Sequence, residues 1–273
     1  MSEGKQPVHR PRNLVKLLFI GTVVLLIVGS LGIATATFAS KSNPVTAAKH
    51  QPTPTKAPGN KNPYPPNTGT LALNDALKNN SKGYGWEVSN DGNGNICSFT
   101  NGVYQVQAHA YQTTSSMNAC IENKKTFSNF AFEVHAKVTK VVNLPPPNPP
   151  SQGCAALLFR YTRPAVHTLY SDTFYTFTVC PDGHYVLSYA RGYLYPMASG
   201  QTRAIHQGLN QDNVLGLVAN GTKFDLYINY QLVKKVLPSH YTRLYAIGDV
   251  GFGATSDMNT VTTQFSNTRL WTF

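Results

Sequence analysis

The chain has 273 residues, 41% of them hydrophobic and only 13% charged, with 18 Pro, 21 Gly, 13 Phe and 15 Tyr. That length holds one sizeable domain with appendages or two small domains, and so low a charge excludes a coiled coil or a charged disordered chain. The formal net charge of +11 divides into +3 over residues 1–40, +4 over residues 41–69 and +4 over the rest, so the basicity belongs mostly to flanking segments. Attraction to anionic lipid or cell-envelope polymer accounts for it better than nucleic acid, which is not an expected partner.

Residues 1–16 carry Lys5, Arg10, Arg12 and Lys16 and are expected to form a basic cytoplasmic tail. Residues 17–40 contain no charge; as a helix these residues would run about 36 Å, enough to span a hydrocarbon core of about 30 Å with some tilt. The positive-inside rule puts the N-terminus in the cytoplasm and the rest outside, as a single-pass cell-membrane protein. Ala34-Thr35-Ala36 also fits a signal-peptidase site, but the apolar run continues past it, which favours an anchor. Either outcome exports the remainder of the chain.

Residues 41–69 hold seven prolines and only Val45 and Tyr64 as large apolar side chains. This composition predicts a disordered, polyproline-like linker or stalk. From residue 70 to 273 the pattern is alternation. Phe130, Phe132, Val134, Ala136 and Val138 share one face of a long strand, and Glu133, His135 and Lys137 the other. The run Pro145–Pro150 then reads as a stiff loop or, alternatively, a protruding recognition loop.

A hairpin is expected over 174–190 through Pro181-Asp182-Gly183, with Tyr175, Phe177 and Val179 facing Tyr189, Leu187 and Tyr185. A second should turn on Asn220-Gly221, with Leu217 opposite Phe224 and Leu215 opposite Leu226.

The four cysteines, Cys97, Cys120, Cys154 and Cys180, lie in the exported part without metal-ligand spacing, and predict two disulfides among three possible connectivities. Setting strand 154–161 antiparallel to 174–180 places Ala155, Leu157 and Phe159 on Val179, Phe177 and Tyr175. That register pairs Cys154 with Cys180 and leaves Cys97 for Cys120.

Residues Ser128–Val134, Gly153–Arg160, Tyr175–Val179 with the Asp182-Gly183 turn, Phe224–Asn229, Val250–Phe252 and Phe265–Asn267 together resemble the concanavalin A-like lectin/glucanase superfamily, closest to its laminin-G-like and keto-sugar-hydrolase-like bacterial ectodomains. The resemblance covers residues 70–273 and implies an all-β jelly-roll sandwich of two antiparallel sheets; where that superfamily usually has an Asn-Gly turn after the Phe224–Ile228 strand this chain has Asn229-Tyr230, which implies a looser connection there. It also implies a binding module for a glycan or cell-envelope polymer. The glucanase branch carries E-x-D-x-x-E, because retaining hydrolysis needs paired carboxyl groups; that motif is absent here, so no catalytic residue is expected. A hydrolase would need Glu133 or another outward carboxylate to find a partner across strands, and an ectodomain that docks a surface protein is the third reading.

No metal or cofactor is expected. Asp91-Gly92-Asn93-Gly94-Asn95 imitates a calcium loop but has Ile96 where glycine is required, and reads as a turn. Asp249 and Asp257 could serve calcium but read better as ordinary loop acids. By the registers above, the outer face of the sheet should carry Arg160, Thr176, Thr178 and Ser188, with Arg191, Tyr193 and Tyr195 rimming a groove. Tyr189 and Trp271 are assigned to the core, and Trp86 is left open between core and surface.

Overall fold

The computed structural model describes residues 59–273 apart from 110–114, 144–152, 164–171 and 258. The expected tail, membrane span, Pro145–Pro150 loop and most of the stalk lie outside the described residues.

The described residues form strands β1 (Thr70–Asp75), β2 (Ser89–Asn90), β3 (Ile96–Thr100), β4 (Val103–His109), β5 (Ser115–Ile121), β6 (Phe130–Asn143), β7 (Gly153–Thr162), β8 (Thr173–Val179), β9 (His184–Arg191) and β10 (Tyr193–Gln201). Beyond these come β11 (Asn213–Asn220), β12 (Lys223–Ile228), β13 (Gln231–Val236), β14 (Asp249–Asp257) and β15 (Asn259–Thr272). A nine-stranded antiparallel sheet runs β13-β12-β11-β6-β15-β4-β3-β2, with β1 also on β15, and a six-stranded sheet runs β10-β9-β8-β7-β14-β5. Alternation drives the layering. Phe130, Phe132 and Val134 of β6 meet Leu157, Phe159 and Phe252 of the smaller sheet in one buried core. Trp86 belongs to that core: it is buried, stacks on Phe252 at 4.8 Å and donates from Nε1 to Asp75 Oδ2 at 3.0 Å.

The disulfides join Cys97 to Cys120 and Cys154 to Cys180, as expected. The β7–β8–β9 registers also match, with Phe159 opposite Tyr175 and Tyr175 opposite Tyr189.

The β11–β12 register differs from expectation by two residues. Leu217 faces Leu226 and Ala219 faces Phe224, so Asn220 closes the ladder against Lys223 and the turn is Gly221-Thr222. A shift of two leaves every side chain on its face, so alternation could not distinguish the registers. Tertiary bonds decide: Asn129 Oδ1 accepts from Gly221 N at 2.8 Å, and Gly221 O accepts from Arg160 at 2.8 Å.

The expected loose connection after β12 is instead a two-residue turn, with Asn229 at φ 49° and Tyr230 at φ 64°. Asn tolerates this backbone, and its amide is fully used: Oδ1 accepts from Val214 N at 2.7 Å, and Nδ2 donates to Ala204 O at 2.7 Å.

The stalk boundary at residue 69 is likewise corrected, because residues 59–69 lie on the outer face of the larger sheet. Asn62 Nδ2 donates to Thr68 O at 2.9 Å, pinching the segment into a loop. Trp271 Nε1 and Arg269 Nη1 fasten its start at Asn60 O (2.6 Å) and Gly59 O (2.7 Å). Tyr64 is buried against Ala131, Val218, Tyr227 and Trp271, and its hydroxyl donates to Glu133 Oε2 at 2.8 Å. Glu133 Oε1 in turn accepts from Arg269 Nε at 2.7 Å. One aromatic suffices to dock a proline-rich segment because the sheet already presents a complementary hollow above Gly216, where a Cβ would lie 2.5 Å from the Tyr64 hydroxyl oxygen. Burial and then the Glu133 charge hold the Tyr64 phenol well above its ordinary pKa, so it stays a donor.

Removing the hydroxyl with Tyr64→Phe should cost about 1–3 kcal/mol, because Glu133 Oε2 loses its donor while buried. Gly216→Ala should destabilise the native chain by displacing Tyr64 and cost far less in a Tyr64→Ala background. Urea denaturation of the four-member cycle checks this; additive effects would contradict the contact.

Candidate functional site

The registers generate a row of aromatics across the smaller sheet. Phe159, Tyr175, Tyr189 and Tyr195 lie side by side on β7, β8, β9 and β10. Phe159 and Tyr175 are buried, Tyr189 is half-buried, and Tyr195 on the edge strand is 42% exposed. The row therefore begins in the core and ends at solvent.

The segment between β13 and β14 supplies the other side of this rim. A 3-10 turn, Tyr241–Arg243, is set by Ser239 and Thr242, whose backbone and hydroxyl groups bond reciprocally: Ser239 N to Thr242 Oγ1 at 2.8 Å and Thr242 N to Ser239 Oγ at 3.3 Å. The Tyr175 hydroxyl docks the turn by donating to Tyr241 O at 2.7 Å and accepting from Tyr245 N at 3.2 Å. Tyr245 donates to Ala190 O at 2.7 Å.

The result is a stacked ladder. Tyr189 lies 5.0 Å from Tyr195 and 5.3 Å from Tyr241, both at an interplanar angle of 16°. Tyr241 is 49% exposed and Tyr193, opposite Arg191 on β10, is 68% exposed. Arg191, which acts electrostatically on Tyr189 and Tyr245, and His240, whose ring meets that of Tyr241, are exposed beside them, and Arg243 is exposed two residues after Tyr241. Desolvation, then the Tyr241 and Tyr195 phenols, raises the Tyr189 pKa above its ordinary value, so its hydroxyl stays protonated at physiological pH.

Of the site residues read from the sequence, Arg191, Tyr193 and Tyr195 meet at this rim. Tyr189, assigned to the core, faces the expected side of the sheet and packs against the core but is only half-buried. Tyr241, Tyr245 and Arg243 were missed: they sit in an irregular segment with no strand period, and only the clustering of Tyr241, Arg243 and Tyr245 in sequence hints at them.

Arg160, Thr176, Thr178 and Ser188 depart from expectation. Thr176 and Ser188 face each other across β8 and β9, as the registers imply, but Thr176, Thr178 and Ser188 are all buried, as are Ala156 and Leu158 beside them. Thr178 Oγ1 is spent on Val186 O at 3.1 Å. These positions do not line an open groove.

Arg160 is 1% exposed and sits at φ 50°. The β7–β8 pairing slips between Phe159 and Thr162 and the β7–β14 pairing between Asp249 and Val250, and this bulge turns Arg160 off the outer face and into the end of the sandwich. Its Nη2 donates to Ser128 O at 2.7 Å and Gly221 O at 2.8 Å, its Nη1 to Tyr245 O at 3.0 Å, and its guanidinium lies 5.3 Å from the Phe224 ring centroid. Desolvation lowers its pKa, but a guanidinium remains cationic.

Several of the carboxyl groups are committed to structure. Glu133, the acid on which a hydrolase reading would rely, is fully buried between Tyr64 and Arg269. Glu122, raised by burial and then by Asp249 against the bonds from Lys124 N and Lys125 N, organises the chain after β5 with those two bonds, both 3.2 Å. Asp91 folds onto its own loop, accepting from Asn93 N at 2.8 Å and Asn95 N at 3.0 Å. Among the described residues no three His, Cys, Asp or Glu groups gather as metal ligands. Across the Leu237 end of the rim segment lies a groove of about 490 Å³, bounded by Pro65, Pro66, Val218, Lys223, Lys235 and Leu237.

No protein-family model matches the chain, and no curated protein matches it. Solved structures do. The carbohydrate binding module CBM66 from Bacillus subtilis is similar at 18% identity and a TM-score of 0.50, over 69% of this chain and 96% of that one. A Bacillus subtilis protein of unknown function with a galectin-like fold is similar at 14% identity and a TM-score of 0.52, over 75% of this chain and 98% of that one. The likeness is one of fold, a sandwich of two antiparallel sheets.

Arg160→Ala should cost at least about 3 kcal/mol, since several charge-assisted bonds and the buried stem are lost together. Amide hydrogen exchange should show the loss concentrated at 239–248 and at the Gly221 turn; uniform loss over the sandwich would contradict the local role.

Proposed function

We propose that this chain is an extracytoplasmic carbohydrate-binding module, without catalysis, tethered to the cell membrane by residues 17–40. It presents the tyrosine rim to a glycan or cell-envelope polymer. The observation that carries this reading is the stacked ladder of Tyr195, Tyr189 and Tyr241, whose end rings Tyr195 and Tyr241 are exposed. Tyrosine combines a flat apolar face, which packs on the C–H face of a sugar ring, with a hydroxyl that bonds to sugar hydroxyls. Stacking and the bonds through Tyr175 fix the ladder before a ligand arrives, so little side-chain entropy remains to be lost on binding.

The fold supports the reading at its own level, being shared with a protein named as a carbohydrate binding module. The commitment of Glu133 to Tyr64 and Arg269 weighs against hydrolysis. Export is supported by the disulfides, which persist in oxidising compartments. The uncharged run 17–40 behind a basic tail supports retention at the membrane.

A glycan and cell-wall polysaccharide array probed with the purified full chain tests this. Tyr195→Ala and Tyr241→Ala should each weaken selective binding about tenfold, the scale of an interface hot spot, with little change in Tm because both side chains are half exposed. The backbone carbonyl of Tyr241 that receives the Tyr175 hydroxyl survives its substitution. Binding indifferent to both substitutions, or no binding, would refute the reading.

A further inference from the structure

The charge in the two sequence stretches that carry the rim is of one sign. Between Asp182 and Asp212 the sequence contains Arg191 and Arg203 and no acid; between Asp225 and Asp249 it contains Lys234, Lys235 and Arg243 and no acid. These two stretches carry all three rings of the ladder and the exposed Tyr193. Arg191 follows Tyr189 by two residues on the same strand face and pairs in register with Tyr193. Arg243 closes the 3-10 turn that begins at Tyr241. Both guanidinium groups are exposed, and among the described residues neither is in an ion pair.

The carboxyl nearest in register is Asp172, which precedes the residue paired with Arg191, and it is turned to the Tyr161 hydroxyl. The groove with Lys223, Lys235 and Asp225 lies on the outer face of the larger sheet and is separate from the rim. A neutral sugar needs no such arrangement, because its hydroxyls are served by the phenols and backbone; unpaired cations beside an aromatic platform complement a fixed negative charge on the ligand.

We propose that the saccharide this rim takes is acidic, bearing carboxylate or phosphate groups that Arg191 and Arg243 engage while its rings pack on the tyrosines. The proposal rests on the reading of the rim as a carbohydrate site. The guanidinium fork bonds either anion in bidentate fashion, so the two sources share one recognition chemistry.

Titration calorimetry on the full chain with two matched pairs tests it: oligogalacturonate against its methyl ester, and phosphomannan against mannan. In low salt the acidic member of at least one pair should bind about tenfold or more tighter than its neutral partner, and raising the ionic strength should shrink the gap by screening. The discriminating pair identifies carboxylate or phosphate. An Arg191→Gln/Arg243→Gln double variant, altered only at exposed positions, should bring the acidic ligand to the level of the neutral one. Equal binding of acidic and neutral partners in both pairs, or discrimination that survives the double variant, would overturn the proposal while leaving the platform standing. If none of the four saccharides binds, or binding is indifferent to Tyr195→Ala and Tyr241→Ala, the carbohydrate reading falls and the inference with it.

Discussion

Arg160 joins three pieces of chain at one end of the sandwich: the start of β6 through Ser128, the β11–β12 turn through Gly221, and the β13–β14 segment through Tyr245. None of these carbonyls has a strand partner at that point, and a hydrogen bond from a charged donor contributes about 1.5–3 kcal/mol. One guanidinium satisfies all three. It reaches them only because its own backbone sits at φ 50° in a bulge, a local cost of about 1–3 kcal/mol that the surrounding bonds offset. With Tyr245 held there and Tyr241 held by Tyr175, the exposed rings of the rim acquire fixed positions. The site's geometry thus depends on bonds made beneath it.

The two faces of the larger sheet show a second use of the same logic. Its inner face buries apolar side chains in strict alternation. Its outer face buries Tyr64 over a hollow built by Gly216, Tyr227 and Trp271, with Glu133 and Arg269 satisfying each other and the phenol. This closes the face on which Glu133 would otherwise stand open, and it brings the end of the proline-rich segment onto the domain it precedes.

Alternation made the interior legible. The core faces of β6 to β9, β11 and β12, both disulfides and the β7–β8–β9 registers can be read from the chain, because period-two burial and antiparallel pairing determine them together. What escaped were features decided by tertiary contact. A two-residue slip at Gly221 changes no face; a bulge after Phe159 reverses one side chain; and a single tyrosine in a polar, proline-rich run finds its partners about 70 residues away or more, at Glu133 and Tyr227. The site was half legible for the same reason. Arg191, Tyr193 and Tyr195 extend a readable hairpin, whereas Tyr241 and Tyr245 arrive from a segment without period. Arg160 was misplaced because alternation was carried one residue too far.

The central claim is that the tyrosine rim, and not the outer face of the six-stranded sheet, receives the ligand. Residue-resolved NMR with ring-labelled tyrosine and labelled threonine methyl groups, recorded while a bound saccharide is titrated into the full chain, tests it most directly. The ring signals of Tyr195, Tyr189 and Tyr241 are predicted to move together and saturably, while the Thr176 and Thr178 methyl signals stay fixed. Movement of the threonine signals with the tyrosine rings unchanged would contradict it.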